Sequence, residues 1–122
     1  MTKRVLVVDD DAIIRELATF SLAIAGWSTL TARNGQEAVE VAAAELPDAI
    51  LMDVMMPVMD GPSACLRLAE MPATASIPVV LFTAKIQLGD QDEWARLPIA
   101  GVIAKPFEPM QLAAQITSLL GW

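Results

Sequence analysis

Ala49-Ile50-Leu51-Met52-Asp53-Val54-Met55-Met56-Pro57-Val58-Met59-Asp60-Gly61 is the stretch on which the rest of the chain hangs. An apolar run, Ala49 to Met52, leads into one carboxylate, Asp53, then breaks at Pro57 and again at Asp60-Gly61. A short apolar run closed by turn residues reads as a buried strand entering a loop. Asp53 then stands at the carboxyl end of that strand, where a charge needs a partner or a metal. Three other apolar runs end in the same way. Asp9 and Asp10 follow Val5-Leu6-Val7-Val8, Thr83 follows Val79-Val80-Leu81-Phe82, and Lys105 follows Val102-Ile103-Ala104.

The 122 residues fit one domain, 1–122, with enough chain for a core. The sequence is 55% hydrophobic with a mean hydropathy of +0.50. Parallel strands buried on both faces by helices account for that richness. A net charge of -7 argues against direct nucleic-acid binding, which wants a basic face, and leaves protein partners open. The single cysteine, Cys65, excludes an internal disulfide and suits a reducing compartment, so a cytoplasmic location is expected. No stretch reads as a membrane span, and Val5 to Val8 is too short for a signal peptide. The organised pattern runs nearly to Trp122, so no output domain is expected.

Outward from the central stretch, strands and helices alternate. Arg4 to Asp9 reads as a strand, followed by a helix from Ala12 to Ala25 with Ile14, Leu17, Ala18 and Leu22 on its buried face. Asp11 caps that helix and Gly26 stops it in a left-handed conformation. Trp27 to Ala32 reads as a second strand. Asn34 opens a helix with Glu37 three residues on, Ala38, Val41 and Ala42 give its apolar stripe, and Pro47-Asp48 closes it. Asp60-Gly61-Pro62 starts a third helix ending near Glu70, and Ile77 to Phe82 is a fourth strand. Lys85 to Leu97 is the least regular stretch, with Gly89 inside it and a short helix expected at Gln91 to Leu97. Gly101 to Ala104 is a fifth strand. The last helix is expected from Pro109, at its first position, to Leu120, burying Leu112, Ile116 and Leu119. Trp94 and Trp122 read as partly exposed packing residues. Met52, Met55, Met56 and Met59 read as packing rather than a soft-metal site, because hard carboxylates lie beside them.

Such alternation implies right-handed crossovers and an α/β fold with a doubly wound, five-stranded parallel sheet. Ligands in that architecture bind beyond the carboxyl ends of the strands, where the strand order reverses. Asp9, Asp10, Asp53, Thr83 and Lys105 all fall at such ends.

In this order and spacing, Val7-Val8-Asp9-Asp10-Asp11, the Leu51-to-Gly61 segment, Phe82-Thr83-Ala84 and Lys105-Pro106-Phe107 resemble the receiver domain of bacterial two-component response regulators, over essentially the whole chain. The resemblance implies a flavodoxin-like three-layer sandwich and a phosphorylation-activated signalling module. It implies that Asp53 is the phosphoacceptor and that Asp10, Asp53 and the Met55 carbonyl bind Mg²⁺, with Asp9 holding a metal-bound water. Thr83 and Lys105 would bind phosphoryl oxygens, and the Lys105-Pro106 bond would be cis. Partners would be a sensor histidine kinase or a histidine phosphotransfer protein, and a downstream protein that the sequence does not name. One departure concerns the switch. Val102 stands where such domains often carry an aromatic ring or histidine that rotates with Thr83 on activation. The readout is therefore expected to pass through the backbone after Thr83, in the Lys85-to-Leu97 segment.

The chemistry is coherent apart from the resemblance. A carboxylate can attack phosphorus, and because both groups are negative the reaction needs positive charge in place beforehand. Mg²⁺ on carboxylates and the Lys105 ammonium supply it. The chain has no histidine, so its phosphoryl group must come from another protein or a small phosphodonor. Catalysis would then be limited to self-phosphorylation and self-dephosphorylation on Asp53. Two other readings compete. Asp9-x-Asp11 after the first strand imitates the nucleophile motif of haloacid-dehalogenase-type phosphatases, although Ile13 and the lack of a second acid four residues after Asp90 depart from it. A phosphorylation-independent binding module on the same fold is the other, and the complete set of five polar residues speaks against it.

Overall fold

The computed structural model describes residues 2–83 and 94–122. Five strands form one parallel sheet: β1 (Arg4–Val8), β2 (Ser28–Ala32), β3 (Ala49–Asp53), β4 (Val79–Thr83) and β5 (Gly101–Ala104), in the order β2-β1-β3-β4-β5. The chain steps outward from β1 to β2, then returns across β1 to lay down β3, so the order reverses between β1 and β3. Register places Val8 beside Met52, Asp53 beside Phe82 and Thr83 beside Ala104. Asp9 and Lys105, just beyond β1 and β5, and Asp53 and Thr83, the last residues of β3 and β4, therefore reach the same edge of the sheet.

Period-two alternation divides the core between two layers. Leu6, Val8, Ile50, Met52, Val79 and Leu81 face α2 (Gly35–Glu45) and α3 (Gly61–Glu70). Val5, Val7, Leu51, Val80, Phe82 and Ile103 face α1 (Ala12–Ile24) and the C-terminal helix α4 (Leu112–Leu120). Three helices start on the side-chain caps their sequences prescribe. Asp11 accepts from the Ile13 and Ile14 amides, Asn34 from Glu37 and Asp60 from Ser63. Gly26 lies at φ +86, where it ends α1 as expected. Cys65 is buried against the sheet from α3; burial and the Asp60 charge push its thiol up to about 12, as suits an inert packing group.

Several sequence expectations need correction. Leu17 is 44% exposed, because α1 lays Ile14, Ala18 and Leu22 on the core and turns Leu17 outward with Ile13, Phe20 and Ile24. The buried face of α1 includes a polar residue that counting apolar positions skips: the Ser21 hydroxyl donates to the Pro109 carbonyl. That contact belongs to a turn. Residues 109–111 precede the last helix, which begins at Leu112, so Pro109 is not its first residue. Leu119 is 38% exposed and lies over β5. A Cβ on Gly101 would come within 2.6 Å of a Leu119 methyl, which explains why the first residue of β5 has no side chain. Trp94 is buried, at 6% exposure, in the cluster with Val79 and Leu81. A large indole beside an apolar sheet face gains more from burial than from solvent. Trp122 is half-buried as expected and stacks edge-on with Trp27. Of the helix expected at Gln91 to Leu97, Gln91 to Glu93 lie outside the described residues, and Ala95 to Leu97 form a turn and bend rather than helix; Lys85 to Glu93, most of the segment assigned to the readout, also lies outside them.

Candidate functional site

The site is built at the carboxyl edge of β1 and β3. Asp9 is only 1% exposed and is held at every polar atom. Its amide donates to Ala32 O at 3.2 Å, Oδ1 accepts the Asp11 amide at 2.8 Å, and Oδ2 accepts Lys105 Nζ at 2.8 Å. Asp53, 7% exposed, accepts the Val54 amide at 2.9 Å and pairs with Lys105 Nζ at 3.2 Å. Asp10 is exposed at the mouth. Carboxylate oxygens of Asp9, Asp10 and Asp53 all lie within 4.8 Å of one another.

Lys105 crosses from the other end of the sheet to reach them. Its amide donates to Thr83 O at 2.8 Å, which fixes the end of β5 against β4. The Lys105-Pro106 bond is cis, as the resemblance implies. The ammonium sits 4.4 Å from the Phe82 ring centroid, and Phe107 packs against the same ring at 6.3 Å. Thr83 is buried at 7% exposure beside this group, while Val102 is half-buried and lines a cavity of about 390 Å³ with Trp94, Leu97 and Ile99.

The electrostatics follow from one ammonium shared between Asp9 and Asp53, with Asp10 beside them. Burial, with the Asp9 charge behind it, holds the Asp53 carboxyl above the ordinary carboxylate range, and Lys105 only partly opposes this. Burial pulls the Lys105 ammonium down, but the Asp9 hydrogen bond and the Asp53 charge outweigh it and carry it above the usual range. The two rise for different reasons: burial comes first for Asp53, and the neighbouring acids for Lys105. Three clustered carboxylates against one ammonium in contact with two of them leave the mouth rich in negative charge, which favours a further cation. The donors are all hard oxygens, as Mg²⁺ requires, and they lie close enough together to hold one ion.

The β3–α3 loop bounds the mouth. Gly35 N donates to Met59 O and Gly61 N to Val54 O, both at 2.9 Å. A Cβ on Gly61 would stand 2.3 Å from Asp53 O, so glycine is required for α3 to start this close to the Asp53 backbone. Between these anchors Val58 adopts φ +69, bridged by Met59 N to Pro57 O at 2.7 Å. A γ-turn with this sign of φ is strained, most of all at a β-branched residue. The sequence read Gly61 only as a helix start and offered no sign of strain at Val58.

The structure thus brings Asp9, Asp10, Asp53 and Lys105 together, with Thr83 at the adjacent strand end. Residues 5–117 match the response regulator receiver domain family, and the chain belongs to that family. It is a receiver domain of two-component systems. The chain is 40% identical over 119 residues to the response regulator PleD of Caulobacter vibrioides, covering 98% of this chain and 26% of PleD. It is 34% identical over 120 residues to the alkaline phosphatase synthesis transcriptional regulatory protein PhoP of Bacillus subtilis, covering 98% of this chain and 49% of PhoP. The chain therefore spans about half, or less, of the length of these curated relatives. Among solved structures, the chemotaxis response regulator CheY4 of Vibrio cholerae superposes with a TM-score of 0.91 at 28% identity, covering 98% of this chain and 99% of that one. The receiver domain of the sensor histidine kinase PA1611 of Pseudomonas aeruginosa, solved with magnesium in its active site cleft, superposes with a TM-score of 0.89 at 26% identity over the whole of both chains. The phosphatase alternative is not favoured: Asp9, its nucleophile, has both carboxylate oxygens engaged, and Asp11 caps α1. Nor is a phosphorylation-independent module, given the complete acid–lysine set.

Proposed function

We propose that Asp53 accepts a phosphoryl group from a phosphohistidine on a partner protein, a sensor histidine kinase or a histidine phosphotransfer protein, and that the resulting aspartyl-phosphate changes how this domain binds a downstream protein. The observation that carries this reading is the placement of the Asp53 carboxylate, held by Lys105 at 3.2 Å and open towards the exposed Asp10. An Asp53 oxygen forms a bond to phosphorus, the phosphorus–nitrogen bond to the donor breaks, and its electron pair stays on the imidazole. Lys105 neutralises charge on the incoming phosphoryl oxygens, and the Thr83 hydroxyl donates to one of them. Asp10, Asp53 and the Met55 carbonyl would hold Mg²⁺, with Asp9 on a bound water; that ion supplies the positive charge that lets two anions meet. Thr83 would also start the switch, with Val102 too short to follow it as a ring would. With no histidine in the chain, the donor must cover the mouth from outside. The exposed Ile13, Leu17, Phe20 and Ile24 recur along α1 at four-three-four spacing, the seam that receives another helix, and Ile13 begins that seam two residues beyond Asp11.

Incubation with acetyl phosphate and Mg²⁺, read by intact mass, should add one phosphoryl group to the wild type and none to Asp53→Asn. A phosphoryl adduct persisting in that variant would assign the acceptor to another carboxylate.

A further inference from the structure

We propose that Arg15 is a positioning residue for the divalent-cation site, fixing the turn that carries Asp10 so that its carboxylate stays in reach of Asp9 and Asp53. The inference rests on reading the acidic cluster as that site. Arg15 is the single basic residue of α1, one turn beyond the Asp11 cap. This end of a helix carries the positive pole of the backbone dipole, so a cation there is disfavoured unless something else holds it. What holds it is the Asp9 main-chain carbonyl, which accepts from Arg15 Nη1 at 2.7 Å. Helix side chains lean towards the N-terminus, which lets the guanidinium reach back over the first turn.

The Asp9 carbonyl belongs to the peptide group that joins Asp9 to Asp10, so the guanidinium grips the unit from which the Asp10 side chain is hung. The next residue is held as well: the Asp11 amide donates to Asp9 Oδ1 at 2.8 Å and the Asp11 side chain caps α1. Asp10 is thereby pinned on both sides through its backbone, while its own carboxylate remains exposed for a ligand. Without Arg15 the Asp9–Asp10 peptide loses the restraint on its carbonyl, and repulsion among the acids favours swinging Asp10 away. Charge alone predicts the opposite effect, because removing a cation beside three carboxylates would tighten binding of another cation. The sign of the change separates the two.

Mg²⁺ binding to the full 122-residue chain is measured by calorimetry for wild type, Arg15→Met and Arg15→Lys, alongside metal-free thermal midpoints and the Mg²⁺ dependence of uptake from acetyl phosphate. Arg15→Met should weaken Mg²⁺ by about tenfold, as removal of an outer partner of a metal ligand does. The Mg²⁺ concentration for half-maximal uptake should rise more than the maximal rate falls. Arg15→Lys, which can still donate to the carbonyl, should recover part of the affinity and remains a test if the Met variant does not fold. Unchanged or tighter Mg²⁺ binding in Arg15→Met overturns the proposal, as does a lowered metal-free midpoint with affinity intact. Absence of Mg²⁺ binding in the wild type would instead overturn the reading of the acidic cluster.

Discussion

The two ends of the sheet carry charge in opposite ways. At the amino end the charged side chains meet partners in reach of solvent: the Arg4 amide donates to Asp48 at 2.8 Å, the Arg4 guanidinium meets Glu45 at 3.6 Å, and Lys3 lies 4.6 Å over the Trp122 ring, itself 5.4 Å from Trp27. At the carboxyl end two buried acids, Asp9 and Asp53, share Lys105, with the exposed Asp10 beside them and a strained turn at Val58 in the loop that follows β3. Exposed pairs of the first kind contribute little and can be lost cheaply. Buried charge of the second kind is costly unless it is compensated. The same fold thus places its electrostatic imbalance where chemistry is proposed and keeps the opposite end balanced.

The largest test of this contrast is Lys105→Met without metal. It leaves the buried Asp9 and Asp53 with no cation in contact, and should cost on the order of 3 kcal/mol in a urea titration, part of it restored by Mg²⁺. A loss no larger than that of a surface pair would erase the distinction. Asp53→Asn should act in the other direction. Because the Asp53 carboxyl sits above 3.8 in the folded protein, the native state holds a proton that the unfolded chain has released, so stability falls as pH rises from 3.8 through the folded value. The metal-free variant should therefore melt above the wild type at pH 7, with the gap narrowing as pH falls towards 3.8. Added Mg²⁺ should favour the wild type by mass action. Equal pH profiles for the two proteins would show that the imbalance is not centred on Asp53.

Val58→Gly removes a side chain that is 82% exposed and relieves φ +69. A gain of about 1 kcal/mol is expected, strain relief exceeding the glycine entropy cost. A net loss would show that the turn is relaxed and that strain is no part of the mouth. Smallest of all, Glu45→Gln at the other end should change stability by no more than about 0.5 kcal/mol, less at high salt. A larger loss would make the amino end as dependent on its charges as the mouth.

Much of this architecture was legible beforehand. β5 was placed residue for residue, and the Asp11, Asn34 and Asp60 caps all formed, because caps and apolar runs are decided by residues a few positions apart. Misreadings arose where a residue's surroundings come from distant chain. Leu17 has the composition of a core position, but the width of the α1 contact with the sheet decides that it faces out. Pro109 has the composition of a helix start, but its carbonyl is engaged by Ser21 across 88 positions. A helix-start cation is the one local sign that could have singled out Arg15.

By itself the sequence determined which side chains stand at strand ends. Burial of an apolar run and the turn that ends it are properties of neighbouring residues, so Asp9, Asp10, Asp53, Thr83 and Lys105 could be named before any coordinates. Only the tertiary structure decided how they share charge. Lys105 meets Asp9 across 96 positions because β1, β3, β4 and β5 are laid side by side in an order that helix packing selects, and nothing local to either residue encodes that distance. The same packing chose burial for Trp94 and required the missing side chains at Gly61 and Gly101.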